Sequence, residues 1–329
     1  MSIAGMMFPW LNPLSEDLNR AIEFERFGHA PLLMGSSGVG KRRLAEWLAR
    51  RLLCLAPEQS QPCGQCKSCT LFESATHPDF FRLQIEDDKT AILIDQVREL
   101  TTRIVLTPSI GSRRIGLIHS AERMNTNAAN ALLKTLEEPA AETWLILISD
   151  RPQQLPATIL SRCQRWVVPL PNEQQALDWL HSECPSVSQD DRTLALSLAD
   201  GSPQTAANWL SGGEFEFGLA VRDQLNAILD DNSELEVNLA QWQENPELSW
   251  RWLARWTQVW TRRAMSGQSG GLTGEGLYPY VQSPAGLDAL QKCWQQALQG
   301  ARLANKPVRH DWLMQTWLLQ WRSLLHLRS

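Results

Sequence analysis

Pro31-Leu-Leu-Met34 runs straight into Gly35-Ser-Ser-Gly38-Val-Gly40-Lys41-Arg42. The pattern G-x-x-x-x-G-K-[ST] closes backbone N–H groups around phosphates and sends a lysine to the outer ones. It ends in a hydroxyl that ligates Mg²⁺. Every position here fits except the last, because the Arg42 guanidinium has five donors, a fixed positive charge and no acceptor. An apolar run, a phosphate loop and a helical pattern in that order predict an α/β domain of nucleotide-binding architecture. Its function turns on whether the other parts of an ATPase are present.

Working outward, Lys41 to Leu55 reads as a helix with Leu44, Leu48 and Leu52 on one face. Ile92 to Ile94 and Arg114 to Ile118 read as strands. Asn125 to Glu138 reads as a helix stopped by Pro139. Trp144 to Ile148 is a continuous apolar run, as expected of a buried parallel strand, and ends in Ser149-Asp150. Pro169-Leu-Pro171 then reads as a linker, and strand signals vanish. Residues 173 to 212 predict two or three short helices around the turn Asp200-Gly-Ser-Pro203. From 213 onward the pattern is long amphipathic helices, broken by the flexible run Ser266-Gly-Gln-Ser-Gly-Gly271 and by Gly274 and Gly276.

At 329 residues the chain is long enough for two or three well-buried domains. No apolar run approaches the roughly 20 residues that span a bilayer. Met1 to Pro9 lacks the charged and apolar regions of a signal peptide, so a cytoplasmic protein with no membrane partner is expected. A net charge of −5 argues against holding nucleic acid by bulk electrostatics. The pairs Arg42-Arg43, Arg50-Arg51 and Arg113-Arg114 read as solvated surface, with a local basic patch as the alternative. Ten of the fifteen Trp lie beyond residue 205, with Trp252, Trp256 and Trp260 at i, i+4, i+8. That spacing suits a helical core, with a subunit interface as the competing reading.

Cys54, Cys63, Cys66 and Cys69 follow C-x₈-C-x₂-C-x₂-C, a spacing that lets four thiolates converge on one structural Zn²⁺. Disulfides are the rival account, disfavoured by a reducing cytosol. Cys163, Cys184 and Cys293 are isolated and read as small buried hydrophobes. His77-Pro78-Asp79 reads as turn chemistry, its side chains diverging along an extended turn.

A P-loop ATPase also needs a strand ending in Asp for Mg²⁺ and a Glu for the attacking water. The best candidate, Ile115 to Ile118, ends in His119-Ser120. A neutral imidazole is a poor ligand for Mg²⁺, and a serine hydroxyl is too weakly basic to replace the Glu. Glu122 reads as surface. Three separate losses, at Arg42, His119 and Ser120, point to a site no longer used for hydrolysis. Arg162 follows Leu155 to Ser161. Either it caps a short helix, or it acts across a subunit boundary on a neighbour's γ-phosphate.

The helix Asn130-Ala-Leu-Leu-Lys-Thr-Leu-Glu-Glu-Pro139, the segment Leu155 to Cys163 and the four-cysteine insertion resemble the bacterial clamp-loader ATPases, a branch of the AAA+ class. The likeness is specific over residues 1 to about 210 and continues beyond by length and organisation. It implies a RecA-like α/β AAA+ domain over residues 1–167, with a phosphate-loop remnant (Gly35, Gly38, Gly40, Lys41) and a four-cysteine zinc module at 54–69. A small helical lid over 168–212 and an all-α collar over 213–329 would follow, the collar joining five subunits into a ring.

By the same resemblance, Ser161-Arg162-Cys163 presents Arg162 to ATP on an adjacent gamma or tau subunit. Gln204, in Gly201-Ser202-Pro203-Gln204, stands where active subunits carry a second phosphate-sensing arginine. Asp150 stands at a polar sensor position, where a carboxylate repels phosphate. The implied role is a non-hydrolysing structural and regulatory subunit of the DNA polymerase III clamp loader. Its implied partners are gamma/tau, delta, the sliding clamp and primer-template DNA. An active gamma/tau-type ATPase is the alternative. The retained Gly35, Gly38, Gly40 and Lys41 leave weak, Mg²⁺-independent nucleotide binding open.

Overall fold

The computed structural model describes residues 7–86, 89–229, 235–266, 277, 283–304 and 306–327. The Gly/Ser run at 267–271, Gly274 and Gly276 lie outside the described residues. The chain divides into two compact units. The first is Met1–Trp179 with Gly201–Thr205, and the second is Leu180–Asp200 with Ala206–Ser329.

Among the described residues the first unit is built on five strands: β1 (Pro31–Met34), β2 (Phe80–Leu83), β3 (Arg114–Ile118), β4 (Thr143–Ser149) and β5 (Gln164–Val167). They pair in parallel in the order β2-β3-β4-β1-β5. Successive side chains of a strand point to opposite faces, and here both faces are buried. Leu33, Ile115, Leu117, Ile146 and Ile148 pack on one face with Leu44, Leu48 and Leu52 of helix α2 (Lys41–Leu53). Leu32, Ile118, Leu145 and Leu147 pack on the other with Val97, Leu100 and Ile104 of α4 (Ile94–Ile104) and Leu132 and Leu136 of α5 (Thr126–Glu137). Helix α1 (Asn12–Glu23) and the short α3 (Lys67–Glu73) and α6 (Ala157–Leu160) complete this part. In such sheets ligands bind at the carboxyl ends of the strands, where the order reverses. Here β1 and β4 are neighbours in register, Met34 opposite Ser149, so the loop after β1 meets the residue after β4.

Three sequence expectations need correction. Ile92 to Ile94 is not a strand: Ile92 makes only an isolated bridge to Met124, and Ile94 opens α4. A three-residue apolar run fits a strand or a helix start equally, and the helical spacing of Val97, Leu100 and Ile104 decides it. Strands β2 and β5 escaped notice because they are edge strands of mixed polarity, Phe-Phe-Arg-Leu and Gln-Arg-Trp-Val. The basic pairs are not uniformly solvated, since Arg51 and Arg114 are buried. Arg114 pairs at 3.3 Å with the fully buried Asp79, whose carboxylate also accepts from the Ser109 and Ile110 N–H groups. Arg51 donates to Asn19 Oδ1 at 3.1 Å and the Ser60 carbonyl at 3.0 Å. Both guanidiniums therefore replace hydration with specific acceptors, as burial of charge requires.

Among the described residues every element beyond β5 is helical, including α7 (Glu173–Glu183), α8 (Gln189–Leu198), α9 (Pro203–Gly212), α10 (Glu214–Leu229), α11 (Leu235–Glu244), α12 (Pro246–Ser266), α13 (Pro284–Leu303) and α14 (His310–Arg322). The first three match the short helices expected around the Asp200–Pro203 turn. In the second unit the tryptophans form a core. Trp252, Trp256 and Trp260 stack along α12 with ring centroids 6.2 and 5.7 Å apart, and Trp321 and Trp317 of α14 extend the stack. All five are buried. Their indole N–H groups find backbone acceptors where the core offers them, as in Trp256 to the Gly218 carbonyl at 2.7 Å and Trp317 to the Cys293 carbonyl at 2.8 Å. A Cβ on Gly218 would sit 2.6 Å from the Trp252 ring, so helix α10 needs glycine there. Among the described residues no helix is long and apolar enough to cross a membrane.

Candidate functional site

The phosphate loop, Gly35 to Gly40, leaves β1 and turns into α2, with Gly38 at φ +73° and Gly40 at φ +98°. Both are conformations that favour glycine. A Cβ on Gly38 would also lie 2.2 Å from Thr205 Oγ1 and 2.4 Å from Ser202 Oγ. Ser202 donates to the Ser37 carbonyl at 2.6 Å, and the Gln204 N–H to the Gly38 carbonyl at 3.3 Å. Trp10 Nε1 donates to the Val39 carbonyl at 2.9 Å. Residues of this same chain thus bond the loop on several sides.

Lys41 makes the loop's chemistry explicit. Its side chain is 3% exposed. Its ammonium donates to the Gly35 carbonyl at 2.9 Å and the Ser36 carbonyl at 2.5 Å, and pairs with Asp150 Oδ1 at 2.6 Å. An ammonium has three donors, and all three are used. Asp150 supplies the negative charge that a phosphate would otherwise bring. It follows Ser149 at the end of β4, and the β1–β4 pairing delivers it to the lysine. Sequence reasoning read Asp150 as a repellent for phosphate but missed it as the partner of Lys41. Its signal was its place immediately after a core strand next to the one that feeds the loop.

Around the Mg²⁺ position the donor set is wrong for a hard cation. Arg42 is directed to Glu46 at 3.3 Å, and the Arg82 guanidinium reaches the same carboxylate oxygen at 3.2 Å. His119, after β3, has a buried Nε2 with no hydrogen-bond partner. Burial, reinforced by the Arg42 and Arg82 charges, holds its pKa down at about 4. An unprotonated imidazole between guanidiniums does not fit Mg²⁺, which takes oxygen ligands. Glu122 is half-buried rather than on the surface, with its Oε2 enclosed and lacking a partner; the helical turn Ala121–Arg123 that follows β3 draws it inward.

His119 sets a pH dependence. Between pH 6.5 and about 4 the unfolded chain binds a proton at this imidazole and the folded chain does not, so stability falls as pH drops through that window. His77, also lowered by burial against the opposing pull of Asp79, acts in the same direction. His119→Gln is expected to flatten the decline of Tm from pH 6.5 to 4. A Tm profile parallel to the unsubstituted chain would refute this.

The four clustered cysteines are brought together by the end of α2, the loop after it and the start of α3. Their Sγ atoms all lie within 4.8 Å of one another, with Cys54–Cys63 at 3.6 Å and Cys54–Cys66 at 4.0 Å. Four Zn–S bonds of about 2.3 Å in a tetrahedron put sulfurs about 3.8 Å apart, so the cluster is positioned for a metal. The N–H groups of Cys63, Cys66 and Cys69 each donate to the sulfur of the preceding cysteine at 3.4 Å, an arrangement that stabilises thiolates. Burial pushes the Cys69 thiol up to about 12; at Cys66 burial is outweighed by N–H donors from Cys69 and Leu55, leaving it at about 6. Gly64, at φ +79°, makes the turn between the second and third cysteines of the cluster.

His77 and Ser68 lie beside this cluster with Asp79, and the trio resembles a hydrolytic triad only in composition. His77 Nδ1 accepts the Asp79 backbone N–H at 3.1 Å, Nε2 lies 2.9 Å from Ser68 Oγ, and Ser68 donates to the Leu53 carbonyl at 2.8 Å. The imidazole hydrogen is directed at the serine, which leaves no base for its proton. The arrangement ties α3 to α2 and to the start of β2, and the two side chains diverge as expected, His77 to Ser68 and the Asp79 carboxylate to the Ser109 and Ile110 N–H groups.

Arg162 sits between α6 and β5. Its Nε donates to Glu137 Oε1 at 2.8 Å and its Nη2 contacts the same carboxylate, while Nη1 donates to the Thr158 carbonyl at 3.0 Å and Ser161 Oγ at 3.3 Å. None of these partners belongs to its own phosphate loop. No local spacing in the sequence links Glu137 to a residue 25 positions on. Cys163 is half-buried, with burial holding its thiol up at about 11; Cys184 and Cys293 are buried.

Sheet order and loop together define an AAA+ nucleotide-type domain whose loop lysine is paired with a carboxylate of this chain. Residues 10–172 match the family described as DNA polymerase III, delta subunit. The DNA polymerase III subunit delta-prime of Pseudomonas aeruginosa is 35% identical over 94% of this chain and 90% of its own length. The subunit of the same name from Escherichia coli K12 is 38% identical over 64% of this chain and 62% of its own. A gamma subunit-related protein of Thermotoga maritima superposes with a TM-score of 0.52 at 19% identity, covering 94% of this chain and 99% of that one, and shares the fold. The chain belongs to the family of DNA polymerase III delta-prime subunits.

Proposed function

We propose that this chain is a non-hydrolysing structural and regulatory subunit of the replicative clamp loader within the DNA polymerase III holoenzyme. It gives Arg162 to ATP bound by an adjacent gamma or tau subunit and helps load the sliding clamp onto primed DNA. Polymerase activity belongs to the complex alone. In this reading the chain has an AAA+ domain over 1–167, a lid over 168–212 and a collar over 213–329 that joins it to gamma/tau and delta. Cys54, Cys63, Cys66 and Cys69 hold a structural Zn²⁺. The metal fixes the loop after α2 and takes no part in chemistry, since four thiolates leave no open coordination position.

The observation that carries the non-hydrolysing role is the Lys41–Asp150 pair. A lysine that contributes to phosphoryl transfer must place its charge on the β- and γ-phosphates, and this one is neutralised by a carboxylate of its own chain. The full-length chain alone is expected to show no steady-state ATP hydrolysis. Asp150→Ser should free the ammonium and tighten binding of ATP, measured calorimetrically without Mg²⁺, by about tenfold or more, the worth of a charge-assisted hydrogen bond. Hydrolysis by the unsubstituted chain that disappears in Lys41→Ala would overturn the reading in favour of a gamma-type ATPase.

A further inference from the structure

The Glu137–Arg162 pair joins the C-terminal end of α5 to the residue on which the proposed chemistry rests. Glu137 is the last residue of α5, and Glu138 and Pro139 end the helix there. Arg162 follows α6 by two residues. The Glu137 carboxylate takes the Nε and Nη2 edge of the guanidinium, and the backbone and hydroxyl of residues in and just after α6 take Nη1. The side chains are 33% and 49% exposed, so the pair stands at a surface that a neighbour can reach. A guanidinium binds carboxylates and phosphates with the same planar fork. The edge given to Glu137 is therefore withheld from any phosphate, and the carboxylate cancels the charge the phosphate would seek.

We propose that Glu137 is a positioning residue that holds Arg162 in reserve, so that the arginine engages a neighbour's γ-phosphate only by exchanging one anion for another. The inference rests on the reading that Arg162 acts in trans. A terminal phosphate bears more negative charge than a carboxylate, and more still as the transferring group develops charge, so the exchange is favoured once the nucleotide is correctly placed. Before that, Glu137 keeps the guanidinium aligned and silent. Thr158 and Ser161 hold Nη1 throughout and act as the pivot.

The test uses rings reconstituted from the full chain and its ATPase neighbours, with steady-state kcat and KM for ATP measured for each version of this subunit. Glu137→Gln keeps shape and removes charge. It is expected to raise kcat about two- to fivefold, the range of a half-exposed ion pair, with KM unchanged, because the competition is relieved in the transition state rather than in nucleotide binding. Glu137→Asp retains the charge and should return kcat towards the unsubstituted value. Glu137→Gln combined with Arg162→Ala should show no gain over Arg162→Ala alone. Glu137→Ala serves as a second neutral variant should glutamine disturb α5. If Arg162→Ala slows turnover but both neutral variants leave kcat unchanged or lower it, Glu137 is a prop and the inference fails while the trans reading stands. If Arg162→Ala leaves turnover unchanged, the reading and the inference fall together.

Discussion

Replacing Arg162 with alanine is expected to lower ATP turnover in the reconstituted ring by about 10³-fold or more at the site it serves. The transition state of phosphoryl transfer spreads negative charge over three oxygens, and a guanidinium placed there stabilises it without having to reorganise. The chain itself should hardly register the change. Within the subunit the substitution removes only the hydrogen bonds to Glu137, Thr158 and Ser161, in a half-exposed setting. Such interactions contribute about 1 kcal/mol or less. The isolated subunit should therefore keep its Tm within about 4 °C. Arg162→Lys keeps the charge and loses the planar fork, so only a small part of the rate should return. Equal turnover by the alanine and unsubstituted rings, at matched assembly, would remove Arg162 from the mechanism.

Removing the metal from the cysteine cluster is expected to be the largest single blow to the fold of the first unit. Purified under reducing conditions, the chain should carry one zinc by elemental analysis. Classical zinc modules draw about 10–16 kcal/mol of apparent binding energy from the ion, but this cluster is attached to a sheet that has its own core. The expected loss is therefore a fraction of that, several kcal/mol, and a fall in Tm of about 10 °C on chelation or in Cys69→Ser. Cys69 is fully buried, so a serine there cannot move to water. Hydrogen exchange locates the effect: the amides of Cys63, Cys66 and Cys69, which donate to sulfur, should lose protection first. A metal-free chain with undiminished Tm and unchanged protection would exclude a structural ion.

The central strands were legible in the sequence because their burial on both faces leaves an unbroken apolar run. Leu-Leu in β1 and Leu-Ile-Leu-Ile in β4 announce themselves in this way. The edge strands β2 and β5 were not, because an edge strand buries less and its composition drifts towards that of a loop. The cysteine cluster was readable because its four cysteines are close in sequence. Side-chain partnerships across the sheet were not. Lys41 meets Asp150 and Arg114 meets Asp79 only through strand order and register, and Arg162 meets Glu137 only through the packing of two helix ends, none of which a local pattern encodes. Buried basic charge was missed for the same reason: Arg51 and Arg114 look like surface residues until their acceptors, Asn19, Ser60 and Asp79, are placed beside them.

The Lys41–Asp150 pair has a metabolic consequence. A phosphate loop ordinarily borrows its counter-charge from solution, and its state then follows the ratio of ATP to ADP in the cell. Here a counter-charge is attached through the polypeptide to the neighbouring strand, so a nucleotide must compete with an intramolecular partner. If the chain works as the non-hydrolysing subunit proposed above, sensitivity to the adenylate energy charge enters the assembly through a neighbour.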